Sequence, residues 1–126
     1  MVLFFCKING RVRSKKNSKQ IARTRTGRPF IISSSQYKQW AVYAGLFIRK
    51  AIQCPVIDYP VKLSIRAFYK NKQHQQDADN VAASICDVLQ DNLVIKNDHL
   101  IHHLDVQKFY DSEKDFVEIK ITALDA

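Results

Sequence analysis

The stretch Asp77-Ala78-Asp79-Asn80 places two carboxylates one residue apart, where an alternating segment gives way to a helical one. In extended backbone such a pair projects to the same side. Asp79 also falls at the start of the expected helix, the positive end of its dipole. Asp98 follows in Lys96-Asn97-Asp98, after that helix and just before a strand. A loop at one helix end and a returning segment can converge on one point. Three carboxylates there, Asp77, Asp79 and Asp98, would form an oxygen-donor site for Mg2+ or Mn2+. Their mutual repulsion makes sense only if a cation offsets it. The plainer reading is that Asp and Asn are favoured at helix starts as caps. Asp87 is mid-helix, eight residues past Asp79 and on nearly the same face, where it either supports the site or is simply exposed. Asp91 reads as surface.

The histidines offer a competing metal site. If their segment is a strand, His99 and His103 point one way and His102 the other. No H-E-x-x-H and no H-x-E with P-C-x-x-C occurs, so the zinc hydrolase and deaminase templates fail. Cys6, Cys54 and Cys86 are odd in number and far apart, with no C-x-x-C. They read as free thiols of a protein in a reducing cytoplasm. Gly10, Gly27 and Gly45 are too scattered for a phosphate-cradling loop.

Charge is divided along the chain. No acidic residue precedes Asp58, while twelve Lys and Arg do; from Asp58 onward eight basic residues face twelve acidic ones. A cationic half gains affinity for polyanions by releasing counterions from phosphates, and a carboxylate-bearing half suits metal chemistry. The pattern is that of a nucleic-acid enzyme. Its DNA contacts would come from Arg11, Arg13, Lys15, Lys16, Lys19, Arg23, Arg25 and Arg28, a basic arm over 11–29 too charged to pack and expected as a loop or exposed hairpin. An RNA-binding module is the weaker alternative, for want of an aromatic stacking motif.

The elements that must position these residues fit one domain of 126 residues. No apolar run approaches the ~20 residues a membrane span needs, and the start, Met1 to Cys6, lacks the marks of a signal peptide. It reads as a strand over 2–9, closed by Asn9-Gly10. Ser33-Ser34-Ser35 offers caps for a helix of about 35–52, whose stripe Tyr37, Trp40, Ala41, Ala44, Phe47, Ile48 and Ala51 is core. Residues 61–70 alternate as a half-buried strand, with Val61, Leu63, Ile65, Ala67 and Tyr69 on one side. A second helix spans Asp79 to about Asn92, with Asp79 as cap, Val81, Ala82, Ile85, Val88 and Leu89 as its buried stripe, and Asn92 in the left-handed position that often ends a helix. Two antiparallel strands, about 100–110 and 116–124, follow, joined by Asp111 to Asp115. The sum is an α/β (α+β) fold: one mixed sheet with two helices packed on it and an exposed basic N-terminal arm.

With these residues in place, the chain resembles the RusA-type Holliday-junction resolvases. The carrying stretch is Asp77-Ala78-Asp79-Asn80-Val81-Ala82-Ala83-Ser84-Ile85-Cys86-Asp87-Val88-Leu89, followed by Asn97-Asp98, and Ser35-Gln36-Tyr37-Lys38-Gln39-Trp40 opening the first helix is similar too. The resemblance covers most of the chain. It implies a homodimer with two active sites, dependence on Mg2+ or Mn2+, and paired nicks in four-way DNA junctions, with Asp77, Asp79 and Asp98 as the essential acids. The family's lysine falls on Ala83, and the first acid of its late pair on Asn97. Lys96, or Lys70 and Lys72, would have to supply the missing charge; otherwise the chain is a junction-binding protein with impaired catalysis.

Overall fold

The computed structural model describes residues 1–14, 19–23, 29–33 and 35–124. Strand β1 (Val2–Asn9) buries Phe4, Cys6 and Ile8 and turns Phe5, Lys7 and Asn9 outward, the period of two that a sheet with one covered face demands. It ends at Gly10, whose φ of 93° is open to glycine at no steric cost. Next come β2 (Lys19–Arg23) and β3 (Pro29–Ser33), paired antiparallel as a separate two-stranded ribbon. The basic segment therefore includes two antiparallel strands, and the second runs past residue 29, where the arm was expected to stop.

Helix α1 (Ser35–Ala51) buries Tyr37, Trp40, Ala44 and Ile48, with Ala41, Phe47 and Ala51 packed at the margin. Trp40 is a core residue, its ring centroid 6.1 Å from that of Tyr37. The expected stripe is the real one. Strand β4 (Val61–Phe68) buries Val61, Leu63, Ile65 and Ala67. Helix α2 (Ala78–Asp91) buries Val81, Ala82, Ile85, Val88 and Leu89. Strands β5 (Ile101–Phe109) and β6 (Phe116–Ala123) complete the chain.

The main sheet has the order β1-β6-β4-β5. Strand β6 pairs antiparallel with β1 and β4, and β4 pairs parallel with β5. One mixed sheet with two helices is thus the architecture, as the periodicities implied. The strands β5 and β6 do run antiparallel, but they are not neighbours: β4 lies between them. Alternation reveals which face of a strand is buried and is silent about its partner. The connection reaches around the end of β4, held by Tyr69 N–H to the Phe109 carbonyl (2.9 Å) and Ser112 N–H to the Tyr69 carbonyl (3.1 Å).

Both ends of α2 differ by one residue from the expectation. The cap is Asp77, extended at φ −60°, ψ 139°, its carbonyl accepting from Val81 N–H at 3.0 Å; its side chain makes no cap hydrogen bond. Asp79 lies in the first turn instead. At the other end Asn92 is near-helical (φ −96°) and Leu93 takes the left-handed conformation (φ 60°). The Asn92 amide explains this. Its Nδ2 donates to the Val88 carbonyl (2.7 Å) and its Oδ1 accepts from Arg49 Nη1 (2.8 Å), which holds the residue on the helix. The turn then closes with Leu93 N–H on the Gln90 carbonyl and Val94 N–H on the Leu89 carbonyl, the paired bonds of a Schellman motif.

A left-handed leucine costs roughly 1–2 kcal/mol of backbone energy, and Leu93 is 68% exposed, so little packing offsets it. Leu93→Gly should therefore raise unfolding free energy by about 1 kcal/mol, read as a higher urea midpoint at unchanged slope. A lower midpoint would mean that the exposed leucine is held by packing beyond this chain's described fold.

Candidate active site

Parallel strands cannot be joined by a tight turn; the chain must travel back along the sheet before the second strand begins. Helix α2 is that return path from β4 to β5. It starts at the C-terminal end of β4 and finishes at the N-terminal end of β5. Asp77 and Asp79 consequently stand at one end of α2 and Asp98 at the other. Asp98 is fixed there: its N–H donates to Gln90 Oε1 in the last turn (3.0 Å). From Asp79 to Gln90 is about 16 Å along the axis at 1.5 Å per residue. The segment leading to Asp98 is pinned on Ile57, whose N–H binds the Val94 carbonyl and whose carbonyl accepts from Lys96 N–H, both at 2.9 Å.

The side chain of Asp98 lies toward the C-terminal half of the helix. Burial, then the charges of Asp98 and Asp87, push the Cys86 thiol up to about 11. Asp79, Ala83, Cys86 and Gln90, spaced by four, three and four, form one stripe of α2 running between the two acidic ends.

The extended-backbone alignment expected of the acids does not hold. Asp77 is extended but Asp79 is helical, so alternation does not align them. Asn97 is extended and caps a 3-10 turn, its Oδ1 accepting from His99 N–H (2.8 Å); Asp98 opens that turn, so Lys96 and Asp98 do not share an extended segment. Lys96 is exposed and stands with Asp98, away from Asp77 and Asp79. The acids supply the hard oxygen donors that Mg2+ or Mn2+ takes, yet among the described residues no three His, Cys, Asp or Glu side chains gather closely enough to hold an ion. In one chain the triad is not assembled.

His99 belongs to the 3-10 turn rather than the strand, with Nε2 3.9 Å from Asp98 Oδ1, both groups exposed. His102 is the extra residue where the β4–β5 register slips between Val61↔Ile101 and Lys62↔His103. Asp87 and Asp91 belong to a different contact. Together with burial, the larger effect, they push the Tyr37 phenol up to about 12, so both lie by α1. Eight residues turn a helix by about 80° beyond two full turns, which takes Asp87 off the Asp79 stripe.

The root of the basic segment is fastened to α2: Ser84 Oγ donates to the Arg13 carbonyl at 3.0 Å, next to Ala83. Arg11 is half-exposed, with Nε 3.9 Å from Asp115. Lys19 and Arg23 are in β2. Lys15, Lys16, Arg25 and Arg28 lie outside the described residues.

Sequence reading missed a polar network around the loop that precedes Asp77. Asp115 Oδ1 accepts from Lys70 N–H (2.7 Å) and its Oδ2 meets His74 Nδ1 (2.9 Å). Gln75 Oε1 accepts from Tyr110 Oη (2.7 Å) and Lys108 Nζ (3.0 Å), and Lys108 also donates to the Gln76 carbonyl (3.2 Å). The partners lie more than thirty residues apart, and no spacing in the sequence signals them.

The chain matches the family model described as Endodeoxyribonuclease RusA over residues 9–122. It is 33% identical, over 82 residues, to the crossover junction endodeoxyribonuclease RusA of Aquifex aeolicus (strain VF5), covering 65% of this chain. The chain spans 64% of the length of that relative.

The place of Asp98 can be read through Cys86. In a chain carrying Cys6→Ser and Cys54→Ser, a thiol of pKa about 11 is ionised in about one molecule in a thousand at pH 8, against roughly a quarter for an unperturbed cysteine. Labelling by an aromatic disulfide should run roughly two hundredfold slower than in the unfolded chain, rising about tenfold per pH unit until pH 11. Asp98→Asn should quicken it at pH 8, since a negative charge that opposed the thiolate is gone. An unchanged rate would place Asp98 elsewhere.

Proposed function

The chain belongs to the RusA endodeoxyribonuclease family, and from that membership we propose that it is a structure-selective DNA endonuclease hydrolysing phosphodiesters at four-way junctions. The observation that carries the reading is the reach of the family match. Residues 9–122 take in the root of the basic segment, the β4–α2–β5 unit and all three acids together.

Asp77, Asp79 and Asp98 are the acids of the site. An Mg2+ or Mn2+ ion held by such oxygens polarises a phosphoryl oxygen and acidifies a bound water. One chain by itself does not bring the three together, and their separation along α2 supports a homodimer. A second copy related by a two-fold axis would bring its Asp98 to the Asp77–Asp79 end of the first, and the same axis would generate a second site. The basic residues from Arg11 to Arg28 would hold backbone phosphates, which position DNA without reading its sequence. Selection would therefore rest on branch shape. Free Cys6, Cys54 and Cys86 fit a reducing compartment such as the cytoplasm, and no helix among the described residues is long and apolar enough to cross a membrane. A second reading, a junction-binding protein with impaired cleavage, is favoured by Ala83, which brings no charge to the stripe between the acidic ends.

The test uses a synthetic four-way junction and a matched duplex, with and without Mg2+ or Mn2+. The wild-type chain should cut the junction in a metal-dependent manner. Asp79→Asn should lower cleavage by at least about a hundredfold and leave binding unchanged or tighter, because one negative charge facing phosphate is removed. Asp79→Asn mixed with Asp98→Asn should regain cleavage if each site draws acids from two chains, since the mixed dimer keeps one intact set. No regain, with both variants dimeric by light scattering, would assign each site to one chain. Replacing Lys15, Lys16 and Lys19 by alanine should lower the log–log salt slope of binding by about 0.9 for each duplex phosphate that these side chains neutralise.

A further inference from the structure

The chain between β4 and α2, from Lys70 to Gln76, ends at Asp77 and has no regular structure beyond a 3-10 turn at Lys72–His74. Its shape must come from what it is tied to. One tie is Asp115, which also meets Arg11 and, through its own carbonyl, the Gly10 N–H at 2.8 Å; this joins the far end of the loop to the β1 and β6 ends. The other tie is Lys108, and it bears directly on the peptide that leads into Asp77.

The parallel register sets Lys108 beside Ala67. Neighbours in register share a face, and Ala67 is buried on the helix side. Lys108 therefore points under the start of α2 and is half-buried there. Its ammonium donates to Gln75 Oε1 and to the Gln76 carbonyl, two of the three N–H bonds it can give. Tyr110 Oη holds the same Gln75 oxygen from just past the end of β5. The Gln76 carbonyl is on the peptide bonded to the Asp77 nitrogen. A rotation of that peptide would swing the Asp77 carboxylate, and the ammonium bond opposes it. Bonds to a charged donor are roughly twice as strong as neutral ones.

We propose that Lys108 is the positioning residue for Asp77: its ammonium locks the Gln75–Gln76 segment and so fixes the direction in which the Asp77 carboxylate is presented. The proposal rests on the reading of Asp77 as an acid of the nuclease site. Misplacement of a reacting group by about 1 Å can cost a hundredfold in rate, so the effect belongs in kcat rather than in DNA affinity.

The test compares Lys108→Met, Lys108→Arg and, as a charge-matched control on an exposed loop, Lys114→Met. Two quantities are measured: hydrogen exchange of the 70–78 amides, and kcat and KM on a four-way junction with Mg2+. Lys108→Met should speed exchange of 70–78 at least tenfold without changing that of β1, β4 and β6. It should lower kcat at least tenfold and leave KM within twofold. Lys108→Arg, which keeps a cationic donor, should recover most of both, and Lys114→Met should change neither. Unchanged exchange in Lys108→Met overturns the proposal. So does faster exchange with unaltered kcat, or a rise in KM alone, which would make Lys108 a simple phosphate contact. If the wild-type chain cuts no junction with either metal, the nuclease reading fails, and the exchange of 70–78 decides the role of Lys108 alone.

Discussion

The parallel pairing of β4 with β5 is the constraint on which the rest of this molecule depends. It forces a return path between the two strands, and α2 provides one, with Val81, Ile85, Val88 and Leu89 buried. Every feature of the candidate site inherits its place from that path. Asp77 and Asp79 stand where the path leaves β4, Asp98 where it joins β5, and the stripe Asp79-Ala83-Cys86-Gln90 connects them. The same pairing carries Lys108 to the start of the helix, since its register partner Ala67 lies at the end of β4 from which the loop departs.

Much of the scaffold was legible because burial leaves a period in the sequence. Val61, Leu63, Ile65 and Ala67 alternate, Tyr37, Trp40, Ala44 and Ile48 recur at three and four, and these repeats yielded the elements nearly to the residue. Pairing left no such mark. Nothing in Ile101 to Phe109 says that its neighbour is β4 and that it runs parallel, so Asp111 to Asp115 read as a hairpin loop. The site suffered from the same gap. The acids were singled out by type and spacing; Asp77 and Asp79 were aligned by extended backbone, whereas Asp79 is helical, and the returning segment that carries Asp98 meets the far end of α2. The turn at Asn92–Leu93 failed for a local reason: asparagine's tolerance of the left-handed region mattered less than the two hydrogen bonds its amide makes with Val88 and Arg49. Asp115, Lys108 and Tyr110 were invisible, since their partners are far away in sequence and a lysine in an alternating strand looks like any solvated one.

Polar side chains brace both ends of α2. The loop before Asp77 is braced by the Lys108 ammonium of β5, by the Tyr110 hydroxyl just past that strand and by the Asp115 carboxylate just before β6. The Asp98 end is held by the Gln90 and Asn92 amides, the latter also accepting from Arg49, and by backbone bonds to Ile57.

The order β1-β6-β4-β5 sets the first strand against the last. The contacts of β4, α2 and β5 span about forty residues, far less than those of β1 with β6. Strand β1, with Phe4, Cys6 and Ile8 on its inner face, has to wait for β6. A nascent chain therefore carries β1 as an unpaired apolar strand until β6 has left the ribosome, and such an unpaired strand is open to aggregation meanwhile.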